Sequence, residues 1–281
     1  MTIYTVIPVL NRLKLTQSLV ACIRRQRLNE GLHILVINDG STDGTADWLA
    51  QQGDIEVVNG DGTLFWGGAI DVALRHLQVK VAVDDWVLLI NNDTTIDENF
   101  VQRLLDAAKK YAPAAVGSVI RDEVNRDRLL SIGVHIDPWR LLTRDLLEGA
   151  QLHQELDSVV EVDALSGRGV LFPIASLTAV RGMRPRALPH YLADYEVSVR
   201  VRKAGWRLLV TPAAAVYSEE EYGSTRRASS LRDKLFSVRS PLYLPALLVF
   251  WWEVSNWLQR LTLPLRLFLF IFFPRLRKSQ V

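Results

Sequence analysis

Three acidic side chains stand where chemistry on a charged substrate would need them: Asp39, Asp93 and Asp194. The first two close short apolar runs, residues 32–37 and 86–90, and each sits beside asparagine, as Asn38-Asp39 and Asn91-Asn92-Asp93. At the carboxyl end of a strand, where ligands bind in open α/β sheets, one such side chain can accept hydrogen bonds from base or ribose hydroxyls. The other can hold a cation on phosphates. The stretch Asn91-Asn92-Asp93-Thr94-Thr95 reads equally as a polar turn capping a helix that starts near Asp97. Asp194 lies at or just before the start of a helical pattern, Val197, Val201 and Ala204, closed by Gly205. A carboxylate there is a cap or, in a pocket, a general base. Glu196 is two positions on, roughly 200° around a helix, so only one of the two can face a given site. Arg168, between Gly167 and Gly169, either faces a phosphate or tips a solvated loop. The pairs Asp39-Gly40 and Gly67-Gly68 match neither the dinucleotide-binding nor the P-loop pattern and read as tight turns.

Short strands and helices must position these groups. The sequence predicts strands at 2–7, ended by Pro8, at 32–37, 55–58 and 86–90, and helices at 13–27, around Trp48 and Leu49, from 64 to 78 and from 97 to 111. That alternation implies right-handed crossovers and a mostly parallel sheet flanked by helices. Residues 114–120, 129–136 and 159–165 read as further strands separated by longer polar stretches, as in an acceptor-binding half built onto the sheet.

With 281 residues and 49% apolar content, the chain can bury a sizeable core. A formal charge of +2, from 33 basic and 31 acidic residues, gives no reason to expect nucleic-acid binding. The single Cys22 excludes an internal disulfide. The amino terminus lacks the basic start and long apolar centre of a signal peptide, which places the catalytic part in the cytoplasm.

Five pieces together resemble the family-two glycosyltransferases, which have the glycosyltransferase-A fold. They are Ile7-Pro8-Val9-Leu10-Asn11-Arg12, residues 36–45, the loop 59–68, residues 88–94, and residues 190–196 before Arg200 and Gly205. The Asp-Gly-Ser-Thr-Asp-Gly-Thr and Asn-Asn-Asp-Thr pieces look most like the branch containing rhamnosyl- and galactofuranosyltransferases. The resemblance covers about residues 2–225. It implies a catalytic domain over 1–225, with a nucleotide-sugar-binding half (1–112) and an acceptor-binding half (113–225), and a tail over 226–281. It implies that Asp39 contacts the donor nucleoside, with Pro8 and Asn11 lining the same pocket and Gly67, Asn92 and Arg168 at the donor. Asp93, with Asn91, is implied to bind the divalent cation, Mg2+ or Mn2+, and Asp194 to be the catalytic base. The donor would be a UDP- or dTDP-linked sugar, the acceptor a glycan or lipid-linked glycan of a bacterial surface polysaccharide, and the outcome inversion. Two departures stand out: Asn91 replaces the first acidic residue of the family's metal motif, and no histidine follows Val216-Tyr217-Ser218-Glu219-Glu220-Glu221. Glu219 or Glu221 is either a substitute ligand or part of a solvated acidic turn. Trp66, His190 and Tyr191 either stack on sugar or base or pack in the core. The loop Ser224-Thr225-Arg226-Arg227 either closes over the diphosphate or is simply basic and exposed. The rivals are a sugar nucleotidyltransferase and a non-catalytic scaffold of a polysaccharide assembly complex.

Residues 241–273 are the most apolar part, but Glu253, Asn256, Gln259, Arg260 and Arg266 interrupt them. No run reaches the ~20 residues of a spanning helix. A helix over 251–265 would set Val254, Trp257, Leu258, Leu261 and Leu265 against Glu253, Asn256, Gln259 and Arg260. Such a face, followed by Arg275, Arg277 and Lys278, suits peripheral attachment to the inner face of the cell membrane. Packing on the catalytic domain or a second subunit is the rival, and homo-oligomerisation is left open.

Overall fold

The computed structural model describes residues 1–147, 158–219 and 230–273. The first half alternates β1 (Thr2–Val9), α1 (Leu13–Arg24), β2 (Gly31–Asn38), α2 (Thr45–Leu49), β3 (Ile55–Asn59), α3 (Phe65–Leu77), β4 (Trp86–Leu89), the two-residue β5 (Thr95–Ile96) and α4 (Phe100–Lys110). Next come β6 (Ala114–Asp122), β7 (Leu129–Ser131), β8 (Val134–Asp137), β9 (Leu142–Asp145), β10 (Val160–Glu161), β11 (Val170–Pro173), α5 (Ile174–Ala179), α6 (Ala193–Lys203) and β12 (Arg207–Ser218). The helices α7 (Leu231–Phe236), α8 (Leu244–Val254) and α9 (Trp257–Phe272) follow.

The main sheet runs β10-β12-β6-β11-β4-β1-β2-β3, with β5 and β7 at its margins, and β8-β9 form a separate hairpin. The strands β3, β2, β1 and β4 are parallel, β6 and β12 pair in parallel, and β11 is inserted antiparallel between β4 and β6. The expected mostly parallel sheet is therefore present. Its order reverses at β1, because the chain steps outward through β2 and β3 and returns to the other side at β4. That switch point opens a crevice beyond the carboxyl ends of β1 and β4.

Alternating side chains divide the core between the two faces of the sheet. Val6, Leu35, Ile37, Val87 and Leu89 pack with buried residues of α3, α6, α8 and α9. Ile7, Val36, Leu88 and Ile90 pack with α1 and α4. Burial on both faces explains why β4 reads as an unbroken apolar run rather than an alternating one.

Several predicted boundaries change. Pro8 does not end the first strand, because β1 pairs with β4 only as far as Val6 and the missing proline N–H falls beyond that ladder. The run 129–136 divides into β7 and β8 around Gly133, at φ 115°, where an added Cβ would lie 2.4 Å from Val162. Of 159–165 only Val160 and Glu161 form a strand. The long β12 has no counterpart among the predicted elements. Its register shifts between Thr211 and Ala215, a bulge that accommodates Pro212 inside the sheet. The expected helix over 251–265 is broken at Ser255, where Asn256 caps α9 and exchanges hydrogen bonds with Gln259.

Candidate active site

At the carboxyl ends of β1 and β2, Asn11 and Arg12 take left-handed conformations, φ 61° and 67°. The bend lets the Asn11 N–H donate to Ser41 Oγ (2.8 Å) and its Oδ1 accept from the Thr42 N–H (2.8 Å), so the two strand ends share one turn. Pro8, opposite Ile37, leads into this turn. Arg12 then reaches across the switch point and donates Nη1–H to Asp93 Oδ2 at 2.7 Å. The other carboxylate oxygen, Asp93 Oδ1, is buried with no hydrogen-bond partner.

The two asparagines before Asp93 face elsewhere. Asn92 is buried and donates to Thr16 Oγ1 (3.0 Å), fixing α1 under the loop. Asn91 Oδ1 accepts the Trp66 indole N–H at 2.9 Å.

Asp39 is 3% exposed. Its carboxylate accepts the backbone N–H groups of Gly62 (2.8 Å), Leu64 (3.0 Å) and Phe65 (3.2 Å). These donors precede or open α3, so the carboxylate organises the whole loop 60–65 and meets the positive end of that helix.

Asp194 is the second residue of α6. Its Oδ2 accepts the Gly167 N–H (2.9 Å) and its Oδ1 the Tyr195 N–H (2.9 Å). Burial pushes its pKa up from the ordinary aspartate value, and the two backbone donors and the nearby Arg168 guanidinium only partly offset this. Glu196 turns away as helical geometry requires. It is 1% exposed and held by Arg200 (2.8 Å) and Arg184 (2.8 Å). Arg184 and Lys203 also hold Glu253 of α8, so the same network joins α6 to the tail.

Gly67 and Trp66 bring the two halves together. The Gly67 N–H donates to the Pro189 carbonyl at 2.7 Å, and an added Cβ would sit 2.4 Å from the Leu188 carbonyl. The Trp66 ring covers Gly167, where an added Cβ would lie 2.1 Å from the indole. Trp66 therefore touches both the Asp93 loop, through Asn91, and the Asp194 loop, through Gly167. His190 packs on Tyr191 with ring centroids 4.7 Å apart, and burial together with the nearby Arg239 lowers its pKa. Its Nδ1 is buried without a partner.

The donor set fits a cation held by one carboxylate. Asp93 Oδ1 is buried and unpaired, as a metal-ligating oxygen would be, whereas the Asn91 oxygen is engaged by Trp66. Mg2+ sites commonly combine one or two carboxylates with substrate phosphates and water. No group of three or more His, Cys, Asp or Glu suited to a metal occurs among the described residues, and Glu219 is exposed. Glu221 and the loop 224–227 lie outside the described residues, as do Arg275, Arg277 and Lys278.

The structure thus brings Pro8, Asn11, Asp93 and Asn91 to the switch point and Gly67 of α3, Arg168 and Asp194 of α6 to the region that Trp66 and Gly167 join, whereas Asn92 and Asp39 turn inward. The Arg12–Asp93 pair spans 81 positions, and no spacing announces it.

Residues 4–153, just over half of the chain, match the sequence profile of glycosyl transferase family 2. The chain belongs to that family. It is 27% identical over 214 residues to the N-acetylglucosaminyl-diphospho-decaprenol L-rhamnosyltransferase of Mycobacterium tuberculosis, covering 70% of this chain and 69% of that protein. Among solved structures, a mannosyltransferase from Pyrobaculum calidifontis, in complex with GDP-Man and Mn2+, superposes with a TM-score of 0.57 at 14% identity, covering 97% of this chain and 81% of its own. GalNAc-T7 with UDP, GalNAc and Mn2+ gives 0.65 at 14% identity over 89% of this chain, which spans 47% of that longer protein. These likenesses show the fold. This family-two chain is a glycosyltransferase, with the glycosyltransferase-A arrangement that its motifs resemble.

Proposed function

We propose that this glycosyltransferase inverts the anomeric centre as it moves a sugar from a UDP- or dTDP-linked donor to a lipid-linked glycan acceptor in surface polysaccharide synthesis. The observation that carries the reading is the Asp194 carboxylate at the start of α6, bonded to the Gly167 N–H beneath the Trp66 ring that also binds Asn91 of the Asp93 loop, and raised in pKa by burial. A carboxylate of raised basicity, in its ionised form, suits removal of a proton from a sugar hydroxyl. The acceptor oxygen forms its bond to the anomeric carbon as the bond from that carbon to the diphosphate oxygen breaks. The hydroxyl proton passes to Asp194, and the electron pair leaves with the diphosphate. A divalent cation held through Asp93 Oδ1 would offset the charge on the departing diphosphate. Arg12 and Arg168 add fixed positive charge on either side of the crevice, Arg12 at Asp93 and Arg168 near Asp194.

The loop 60–65, shaped by Asp39, forms the wall for the nucleoside, with Asn11 and Pro8 at its side. The tail supplies the membrane contact. No described helix is long and apolar enough to cross a membrane. The helix α9 instead buries Leu263 and Leu267 against the core and leaves Trp257 73%, Leu261 71% and Leu265 64% exposed, with Phe268 and Phe272 in line. A Trp-bearing apolar face of this kind suits the interfacial plane of a bilayer. The Mycobacterium relative, named for a diphospho-decaprenol acceptor, supports a lipid-linked acceptor here.

Melting of the purified chain with UDP, dTDP, GDP and CDP, each with and without Mg2+ or Mn2+, tests the donor reading. A selective, metal-assisted rise is expected for one of the first two, and no rise with any nucleotide overturns it. Flotation with anionic vesicles tests the tail. Trp257→Glu combined with Leu261→Glu should abolish co-flotation while leaving donor hydrolysis intact.

A further inference from the structure

A polar cavity opens beside Gly167 and Asp194. It holds about 180 Å³ and is lined by Ser131, Thr143, Arg144, Asp145, Ser166 and Tyr195. Ser166 and Tyr195 are the direct neighbours of Gly167 and Asp194, whose backbone N–H and carboxylate are 2.9 Å apart. The cavity therefore borders the proposed base.

Its charges are unequally matched. The Asp145 carboxylate is fully engaged, accepting from the Ile132 N–H (3.2 Å), the Leu147 N–H (2.9 Å) and the Ser131 hydroxyl. Arg144 Nη2, by contrast, is buried with no hydrogen-bond partner. In the adjacent cavity, lined by His135, Glu161, Asp163 and Arg202, the arginine is already bonded to Asp163. Leaving a guanidinium N–H buried and unbonded is costly, and an anionic oxygen is the partner that best removes the cost.

The position of Arg144 says which anion. It lies on β9, in the β8–β9 hairpin. The turn of that hairpin, at Pro138 and Trp139, is held by the guanidinium of Arg266, which donates to both carbonyls. Arg266 belongs to α9, the helix with the exposed apolar face. Arg266 therefore ties the hairpin that carries the unpaired guanidinium to the helix with the exposed apolar face. We propose that Arg144 binds the phosphate or diphosphate that joins the acceptor sugar to its lipid, placing the sugar hydroxyl at Asp194 and the hydrocarbon chain toward α9. The proposal rests on the lipid-linked acceptor read above and adds the residue that recognises its anionic linker.

The full chain, with its donor site filled by the nucleoside diphosphate selected in the melting screen, is titrated calorimetrically with farnesyl diphosphate, inorganic pyrophosphate and a short-chain phosphatidylglycerol. Arg144→Gln should weaken farnesyl diphosphate about tenfold or more, as loss of a charge-assisted contact does. It should leave nucleotide affinity and phosphatidylglycerol unchanged. Arg144→Lys, which keeps the charge without the planar fork, should fall between. Because the Arg144 side chain makes no hydrogen bond within the described protein, its replacement should not lower the melting temperature. Equal affinity in wild type and variant, no binding of farnesyl diphosphate by the wild type, or equal weakening of the glycerolipid each overturns the proposal. Donor hydrolysis and vesicle flotation that stay normal in that case would leave the transferase reading standing, whereas their loss in the wild type would count against that reading itself.

Discussion

Two places in this glycosyltransferase, the loop after β2 and the start of α6, each hold a sunken aspartate on backbone N–H groups, and they do opposite things with it. At the end of β2, Asp39 accepts three donors from the loop 60–65, two of them at the opening of α3. Its charge is fully employed in shaping the chain. At the start of α6, Asp194 accepts two donors, and burial still raises its pKa. Its charge is only partly satisfied and its basicity is available. Residue type and position at the end of an element are alike in the two cases. The number and direction of neighbouring donors separates the organising carboxylate of Asp39 from the one proposed to react.

The contrast breaks most sharply at Asp194. Asp194→Asn keeps the shape and should lower kcat for transfer by about 10²–10⁴-fold, with a modest fall in melting temperature, because the amide has one acceptor oxygen for the Gly167 and Tyr195 N–H groups that the carboxylate satisfies with two. Retained transfer would defeat the assignment. The sign for pH follows from the raised pKa: the folded protein holds this proton more readily than the unfolded chain, so ionising Asp194 costs stability as pH rises through the folded value. As the proposed base, Asp194 must be ionised for transfer. The acid limb of the kcat profile should therefore lie above the aspartate reference of about 3.9.

Asp39→Ala should act on stability first, leaving three N–H groups without their acceptor. A loss of about 2–4 kcal/mol is expected in urea unfolding, accompanied by weaker nucleotide binding. A variant that melts normally but loses nucleotide would instead make Asp39 a direct ligand. Gly67→Ala tests the contact between the loops, since its methyl group would meet the Leu188 carbonyl. A loss of about 1–3 kcal/mol and a lower kcat are expected together. The smallest effect belongs to Arg12→Gln. The pair with Asp93 is half exposed, so stability should change by under about 1 kcal/mol. Asp93 would be released from its guanidinium, and half-activation should move to lower Mg2+ or Mn2+.

Much of the donor half could be read along the chain. Its strands are short apolar runs buried on both faces, its turns are marked by Gly, Asn and Asp, and its helices carry their own periodicity. The acceptor half was less legible. Pro212 and a run of alanines hide β12, because a bulge excuses them from the pairing rules that a sequence pattern assumes. The tail's apolar face was visible, but Asn256 and Gln259, set on the solvent side of one continuous helix, instead form the box that starts a new one.

By itself the sequence determined the alternation of elements, the family motifs and the three aspartates, because these depend on near neighbours and on period. Only the tertiary structure decided how each polar group is used. Asn92 fastens α1, Asn91 takes up Trp66, Arg12 crosses 81 positions to Asp93, and Arg144 is left with an unbonded N–H. Hydrogen-bond satisfaction depends on which distant donors and acceptors the fold brings within about 3 Å, and that distance is set by packing rather than by spacing along the chain.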